Sequence, residues 1–412
     1  LPTVSEGTAT RTRRTRSDAP RRRSDRAIRN DELITSAVVD AIAERGVDHV
    51  VARDVAARAG LTTGALYTRF DSVGDLLAEA WAARCGPALR EVVALTRAVV
   101  DGGASAGSLA SLQQPSQALL AATELCIVAG RVAELADIVP RDLRRWIRAE
   151  GLTDGTREIG TLAYLLGTVI YGTIDPSVRA DVATVVQWLF DGRAAEPSGP
   201  APEPVLPVPL EFTGDDPVRN LLLGAAVQVV ARSGIQHATL KRIARVAGYA
   251  PSFVYSRYES RDALYADVVV AVSESVPAAH LRRPSPFTSP TTMAAHLAGW
   301  VHPEARVRRR LALECSLASA HVPGLAAAVG AIDLGVDRSS LEGLGPADDP
   351  AREALRVFVR GARPVAQGLC VLQDATGLLD GLDWRVLGDA VTAGIVHSLG
   401  VDRTPMAADH HR

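Results

Sequence analysis

At 412 residues, 47% hydrophobic but only 4% aromatic, the chain has room for two to four domains with cores built mainly from Ala, Val and Leu. A formal net charge of −2 gives no overall basic field, so any affinity for nucleic acid must come from local patches. No apolar run is long enough to span a bilayer and no leader segment stands out. The cysteines Cys85, Cys126, Cys315 and Cys370 form neither a Cys-x-x-Cys pair nor a metal spacing with histidine, so a cytoplasmic protein with free buried thiols, no metal and no cofactor is expected.

Residues 1–29 form an arm with nine arginines set against Glu6, Asp18 and Asp25; such a run cannot build a core and is expected to be disordered when free. Residues 30–82 begin with an amphipathic helix whose stripe is Leu33, Ile34, Ala37, Val38, Ala41 and Ile42. Residues 51–70, VARDVAARAGLTTGALYTRF, then read as a short helix, a glycine turn and a second helix. Ala56, Ala59 and Gly60 supply the small side chains a close helix crossing needs, and Gly60 can take positive φ. Thr62 is placed to cap the second helix, and a further helix starts at Ser72 with Leu76, Leu77, Ala80 and Trp81.

Residues 83–191 read as helices with loops. Gly102 to Ser116 is expected to be a mobile connection. Helices are expected over Ser116–Leu135, Arg141–Arg148, Glu158–Ile174 and Val178–Phe190. Residues 192–216 carry prolines 197, 200, 202, 204, 207 and 209, and read as an extended spacer able to span roughly 50–75 Å. Residues 217–270 and 271–400 follow, with breaks expected at Leu281–Thr292 and Gly335–Pro350 and final helices at Ala351–Leu372 and Trp384–Leu399; residues 401–412 are a frayed tail.

The second half repeats the first. At an ungapped offset of 188 positions, residues 239–258, TLKRIARVAGYAPSFVYSRY, share Ala56/Ala244, Ala59/Ala247, Gly60/Gly248, Tyr67/Tyr255 and Arg69/Arg257 with the first motif. The pairing extends outward through Leu33/Leu221, Ala37/Ala225, Gly46/Gly234, Ser72/Ser260, Leu76/Leu264 and Ala78/Ala266. Pro251 suits the first turn of the second motif's second helix. Two helices joined by a short glycine turn form a helix-turn-helix, whose second helix can enter a DNA major groove. The shape alone also occurs in proteins that never touch DNA.

Each unit resembles the N-terminal domain of the TetR family of bacterial transcriptional regulators. The residues that carry this are Gly46, Ala59–Gly60 and Tyr67-Thr68-Arg69-Phe70, then Gly234, Ala247–Gly248 and Tyr255-Ser256-Arg257-Tyr258. Two positions depart from the family pattern: Val73 where a lysine is common, and Ala52 where a capping residue is usual. The resemblance implies an all-α fold, here a tandem duplication in which each helix-turn-helix domain (30–82 and 217–270) precedes a helical regulatory and dimerisation domain (83–191 and 271–400). In that family the last two helices build a four-helix dimer interface, and the chain would form its own pseudo-dimer, with a further homodimer as the larger assembly. Double-length members are known, including a repressor of a mammalian-cell-entry lipid-transport operon, and the architecture here is similar.

The expected partner is a double-stranded DNA operator without true palindromy, since the two recognition helices start differently. DNA-facing residues are expected to be Thr62, Thr63, Gly64, Tyr67 and Arg69 in the first unit, and Lys241, Arg242, Pro251, Ser252, Tyr255 and Arg257 in the second, with arginines of the arm reaching the minor groove. Unit one carries a net −1 between Gly46 and Asp75, and unit two a net +3 between Gly234 and Ala263. His49 and His237 occupy matching loop positions, for a phosphate contact or a plain loop role. The family scheme adds an apolar small-molecule effector, a lipid, acyl chain or sterol-like compound in an aliphatic cavity, that releases a repressor from DNA. The alternative is a ligand-sensing helical interaction protein that does not bind DNA through both units. Walker and metal-spaced histidine motifs are missing, so no enzyme is expected.

Overall fold

The first amphipathic stripe folds as a long helix, α1 (Asp25–Arg45), which buries Ile34, Ala37, Val38, Ala41 and Ile42. Its repeat mate, α11 (Pro217–Ser233), buries Leu222, Ala225, Ala226, Val229 and Val230. Leu33 and Leu221, expected on these stripes, both lie exposed at the helix edge. The computed structural model describes residues 25–153, 155–180, 182–183, 185–186, 200–280, 286, 289–322, 324–341, 359–360 and 363–398, and every regular element among them is helical. Most of the arginine arm and the whole tail lie outside the described residues; the end of the span read as arm, from Asp25, already belongs to α1.

In the first half α2 (Ala52–Arg58), α3 (Thr63–Tyr67) and α4 (Val73–Ala80) follow. Helix α4 passes through one wide π-type turn, Trp81–Cys85, into α5 (Gly86–Val100). Ser72 and Asp75 close a reciprocal capping box at the start of α4, where the side chain of each accepts the other's backbone N–H. The stretch expected to be a mobile connection contains a helix, α6 (Ala106–Gln113), capped by Ser105. Its small residues hide its periodicity, but Leu109 and Leu112 are buried. Then come α7 (Gln117–Val128), α8 (Ile138–Ala149), α9 (Thr156–Tyr171) and the short α10 (Ser177–Ala180); of the expected Val178–Phe190 helix, residues 181, 184 and 187–190 lie outside the described residues.

The proline-rich segment is extended from residue 200, but it is not a free spacer. Val205 donates its N–H to the Ala295 carbonyl at 2.9 Å, Val208 is buried, and Leu210 and Phe212 pack on the second unit's core. Beyond α11 the chain forms α12 (Leu240–Ala247), α13 (Pro251–Arg257), α14 (Arg261–His280), α15 (Pro290–Val301), α16 (Arg306–Ser319), α17 (Leu325–Leu341), α18 (Pro364–Thr376) and α19 (Trp384–Ser398). Helix α17 continues through Gly335, where a break was expected, as far as Leu341, and a Cβ on Gly335 would meet the Pro277 ring.

One core runs through both halves. It joins the first DNA-binding unit and α5–α9 to Met293, Leu297, Leu313, Leu317, Leu369 and Leu387 of the second half. The second unit has a separate core of its own around Leu222, Ile243, Val254 and Leu264. The halves meet most extensively where α9 lies along α18. A Cβ on Gly167 would overlap the Pro364 carbonyl, and one on Gly368 would overlap the carbonyl of Ala163. Only glycine lets the two backbones approach this closely. Helix α19 adds Leu387 against Gly160 of α9.

Gly368→Val is therefore expected to lower stability by about 1–3 kcal/mol or more, seen as a drop in urea midpoint. Gly64→Ala, an open helical position, is the control and is expected to be neutral or slightly stabilising.

Candidate nucleic-acid interface

Each recognition helix is set by one buried side chain and one glycine. In the first unit α2 ends at Ala59, Gly60 takes φ 67°, and Leu61 returns its N–H to the Ala56 carbonyl at 2.9 Å. Thr62 then caps α3, its Oγ1 accepting the N–H of Ala65 at 3.1 Å. Leu66 is fully buried and fixes which face of α3 looks inward. In the second unit Gly248 takes φ 79°, Tyr249 bonds back to the Ala244 carbonyl at 2.9 Å, and Val254 is the buried mate of Leu66. Pro251 opens α13 in place of a side-chain cap.

The opposite face of each helix is open. Thr62, Gly64 and Tyr67 are exposed and Thr63 half-buried; Pro251, Ser252 and Tyr255 are exposed, as are Lys241 and Arg242 in the first turn of α12. Tyr67 and Tyr255 keep 53% and 55% of their surface. Phe253, exposed on the same helix as Tyr255 but outside the expected DNA-facing set, stacks on Tyr249 with ring centroids 4.9 Å apart. Its signal was an aromatic residue on the recognition helix, where the first unit has Ala65.

Arg69 and Arg257, the two arginines expected at phosphates, are each held inside their own unit. Arg69 pairs with Asp31 near the start of α1, and Arg257 with Asp216, the N-cap of α11. Asp216 sits well below the usual carboxylate range, chiefly because it accepts the Arg219 backbone N–H, with Arg257 adding to the effect. Each pair ties the end of the recognition helix to the first helix of its unit. In unit two a second tie lies beside it: Arg219 and the Tyr258 hydroxyl both reach Asp267 at 2.6 Å.

The loops that follow the first helices, Gly46–His49 and Gly234–His237, meet over a buried cluster of charges. Arg131 donates to Asp48 at 2.6 Å and to Glu314 at 3.2 Å, and Arg310 donates to Glu314 at 3.1 Å. His237 stands 3.6 Å from Asp48. Glu124 accepts the Val47 N–H at 2.9 Å and shares a 2.6 Å hydrogen bond with His321. His49 Nδ1 lies 2.7 Å from the Arg45 carbonyl, so both loop histidines are engaged within the protein. Burial raises the carboxyls of Glu124 and Glu314, opposed by His321 in the first case and by Arg131 and Arg310 in the second. Burial would depress the Arg131 guanidinium, but Asp48 and Glu314 outweigh it and leave it raised. The cluster joins unit one, unit two, α7 and α16, and so fixes how the two units sit on one scaffold.

Among the described residues no group of three His, Cys, Asp or Glu side chains could hold a metal ion, and no helix is long and apolar enough to cross a membrane. All four cysteines are free, and burial pushes Cys85 and Cys370 up to about 12.

Residues 34–80 match the family described as bacterial regulatory proteins, tetR family. The matched span runs from Ile34 in α1 to the end of α4, which is the whole of the first DNA-binding unit; the second unit lies outside it. No curated protein matches the chain. The match supports a DNA-binding transcriptional regulator of the TetR family.

Lys241→Ala is expected to weaken binding to all DNA sequences alike and to lower the slope of log affinity against log salt by about one. Arg131→Met leaves Asp48 buried without its guanidinium and Glu314 with Arg310 alone. It is expected to cost about 3–5 kcal/mol in denaturant unfolding.

Proposed function

We propose that the chain is a ligand-responsive transcriptional repressor that works as a pseudo-dimer, both units of one chain binding a single non-palindromic operator. What supports this is the second half itself. It repeats the turn, the buried anchor and the exposed tyrosine of the matched domain, and it is fused to the first half through the glycine crossing of α9 and α18. A subunit interface of that kind is what the family's homodimers need, and here it would be intramolecular.

Symmetric dimers read palindromes because their recognition helices are identical. These two are not. One opens Thr62-Thr63-Gly64-Ala65 and the other Ala250-Pro251-Ser252-Phe253, so the base edges they accept differ. The charge is unequal as well, with unit two more basic than unit one, and the arginine arm would add phosphate contacts on the weaker side. Release from DNA would be a population shift. A molecule bound among the helices beyond the DNA-binding units would favour a spacing of recognition helices that no longer matches successive major grooves.

Binding-site selection with the full chain, followed by footprinting and light scattering, tests the assembly. The expected result is one chain per operator, protecting two unlike half-sites. A perfect inverted repeat, or protection of one half-site alone, would count against simultaneous use of both units. A reporter placed under the selected operator is expected to be silenced by the protein; activation would reverse the assigned sign of control.

A further inference from the structure

A cavity of about 210 Å³ lies within the second half, walled by α14, α16, α17 and α18, with Tyr171 of the first half at one side. Most of its wall is aliphatic, from residues such as Val268, Val272, Leu311, Val329 and Val336. The repeat explains why it is there. In the register that pairs the two DNA-binding units, Val269 on the wall stands where the first half has Trp81. Trp81 is fully buried, stacks on Trp146 at 5.9 Å and donates its indole N–H to Asp142 at 3.1 Å. At position 269 the second half has no indole; the Trp300 ring, from α15, lies on the wall instead.

The polar groups on the wall are unequal. Asp333 accepts the Tyr171 hydroxyl at 2.6 Å and pairs with Arg363 at 3.1 Å; Arg363 also pairs with Asp337. Arg308 has no hydrogen bond or ion pair among the described residues. Its Nε is sealed from solvent, and its guanidinium carbon lies 5.7 Å from the centre of the Trp300 ring. The surface it retains belongs to the cavity wall. Gln367 Oε1 is likewise sealed and without a partner. A guanidinium with its Nε sealed and no ion-pair partner among the described residues is held at a cost that Trp300 offsets only in part.

We infer that this cavity takes an amphiphile with one carboxylate head, seated on Arg308, and an aliphatic body against the valine wall. The fork of a guanidinium matches the two oxygens of a carboxylate, and the pair is strongest where water is excluded. Asp333 is engaged by Arg363 and the Tyr171 hydroxyl, and no hydrogen bond or ion pair joins it to Arg308. The inference rests on the proposal that the helical region beyond the DNA-binding units senses a small molecule. It adds the head group and places the site in the second half.

Calorimetric titration of the full chain with decanoate and with 1-decanol is the test, with Arg308→Gln and Val269→Trp checked for native helix content by circular dichroism. Decanoate is expected to bind at least about tenfold more tightly than decanol, a difference of ~1.4 kcal/mol. Arg308→Gln is expected to erase that preference while still binding decanol, and Val269→Trp to bind neither. Equal affinity for acid and alcohol, or an unchanged preference in Arg308→Gln, would overturn the head-group assignment. Binding of neither ligand, or undiminished binding by folded Val269→Trp, would overturn the cavity as the site. Operator affinity is measured separately with decanoate present. If decanoate binds through Arg308 yet leaves operator affinity unchanged, the site stands and the sensing function fails.

Discussion

Two backbones in contact at Gly167 and Gly368 set the geometry of the whole molecule. Helix packing normally holds axes about 8–10 Å apart, with side chains between them. Here the carbonyls of Pro364 and Ala163 occupy the space where side chains would stand, so α9 and α18 lie as close as helices can. That closeness leaves little room for sliding or rotation. This crossing sets how the two halves of the chain join. The shared core around it, from Leu162 and Leu166 to Leu369 and Leu372, makes the two halves one folding unit rather than two beads on a proline string.

The charge cluster around Arg131 has a different role. Buried ion pairs contribute little net stability, because desolvating the charges cancels most of their attraction. Their value lies in specificity, since a buried charge tolerates only the arrangement that pairs it. Asp48 comes from the first unit, Glu314 and Arg310 from α16, Arg131 from the segment after α7, and the second unit adds His237. Apolar packing could hold these elements together in several nearby poses. The cluster selects one, and with it one separation between the recognition helices.

The two helix-turn-helix units were legible in the sequence because their physics is local. A glycine at positive φ, a capping threonine, a proline at the first turn and one buried anchor all act within a few residues of where they are read. The repeat supplied the same signals twice. What the sequence concealed depends on distant partners. The glycines of α9 and α18 read as ordinary small residues until they are seen to face each other. Arg69 and Arg257 read as free cations because their carboxylates, Asp31 and Asp216, lie far away along the chain. The low hydrophobic contrast of Ala106–Gln113 hid α6, and prolines dense enough to suggest a spacer gave no sign that Val205 and Val208 would dock on the second half. The same repeat that revealed the motif also contained the cavity, in the change from Trp81 to Val269, but a missing side chain makes space only when nothing else moves in to fill it.

Helix α14 links the cavity to the DNA-facing surface by geometry alone. It starts at Arg261, just beyond the recognition helix that ends at Arg257, and its middle, from Val268 to Val276, forms a cavity wall. Near its start Tyr265 donates to the Ala238 carbonyl at 2.8 Å, and Asp267 receives both Arg219 and Tyr258. These bonds tie α14 to the first helix of the unit, to the loop before α12 and to the residue after α13, so a shift of α14 cannot leave the recognition helix where it was. The first unit has the opposite character: Trp81 fills the corresponding space and locks α4 onto α8 through Trp146 and Asp142. Under the proposed function, the first half would hold its recognition helix still and the second would let its own respond. Moving one recognition helix is enough to spoil a match to two major grooves. A ligand in the second half alone can shift the balance only by its difference in affinity between the two poses, about 1.4 kcal/mol for each tenfold loss of DNA binding.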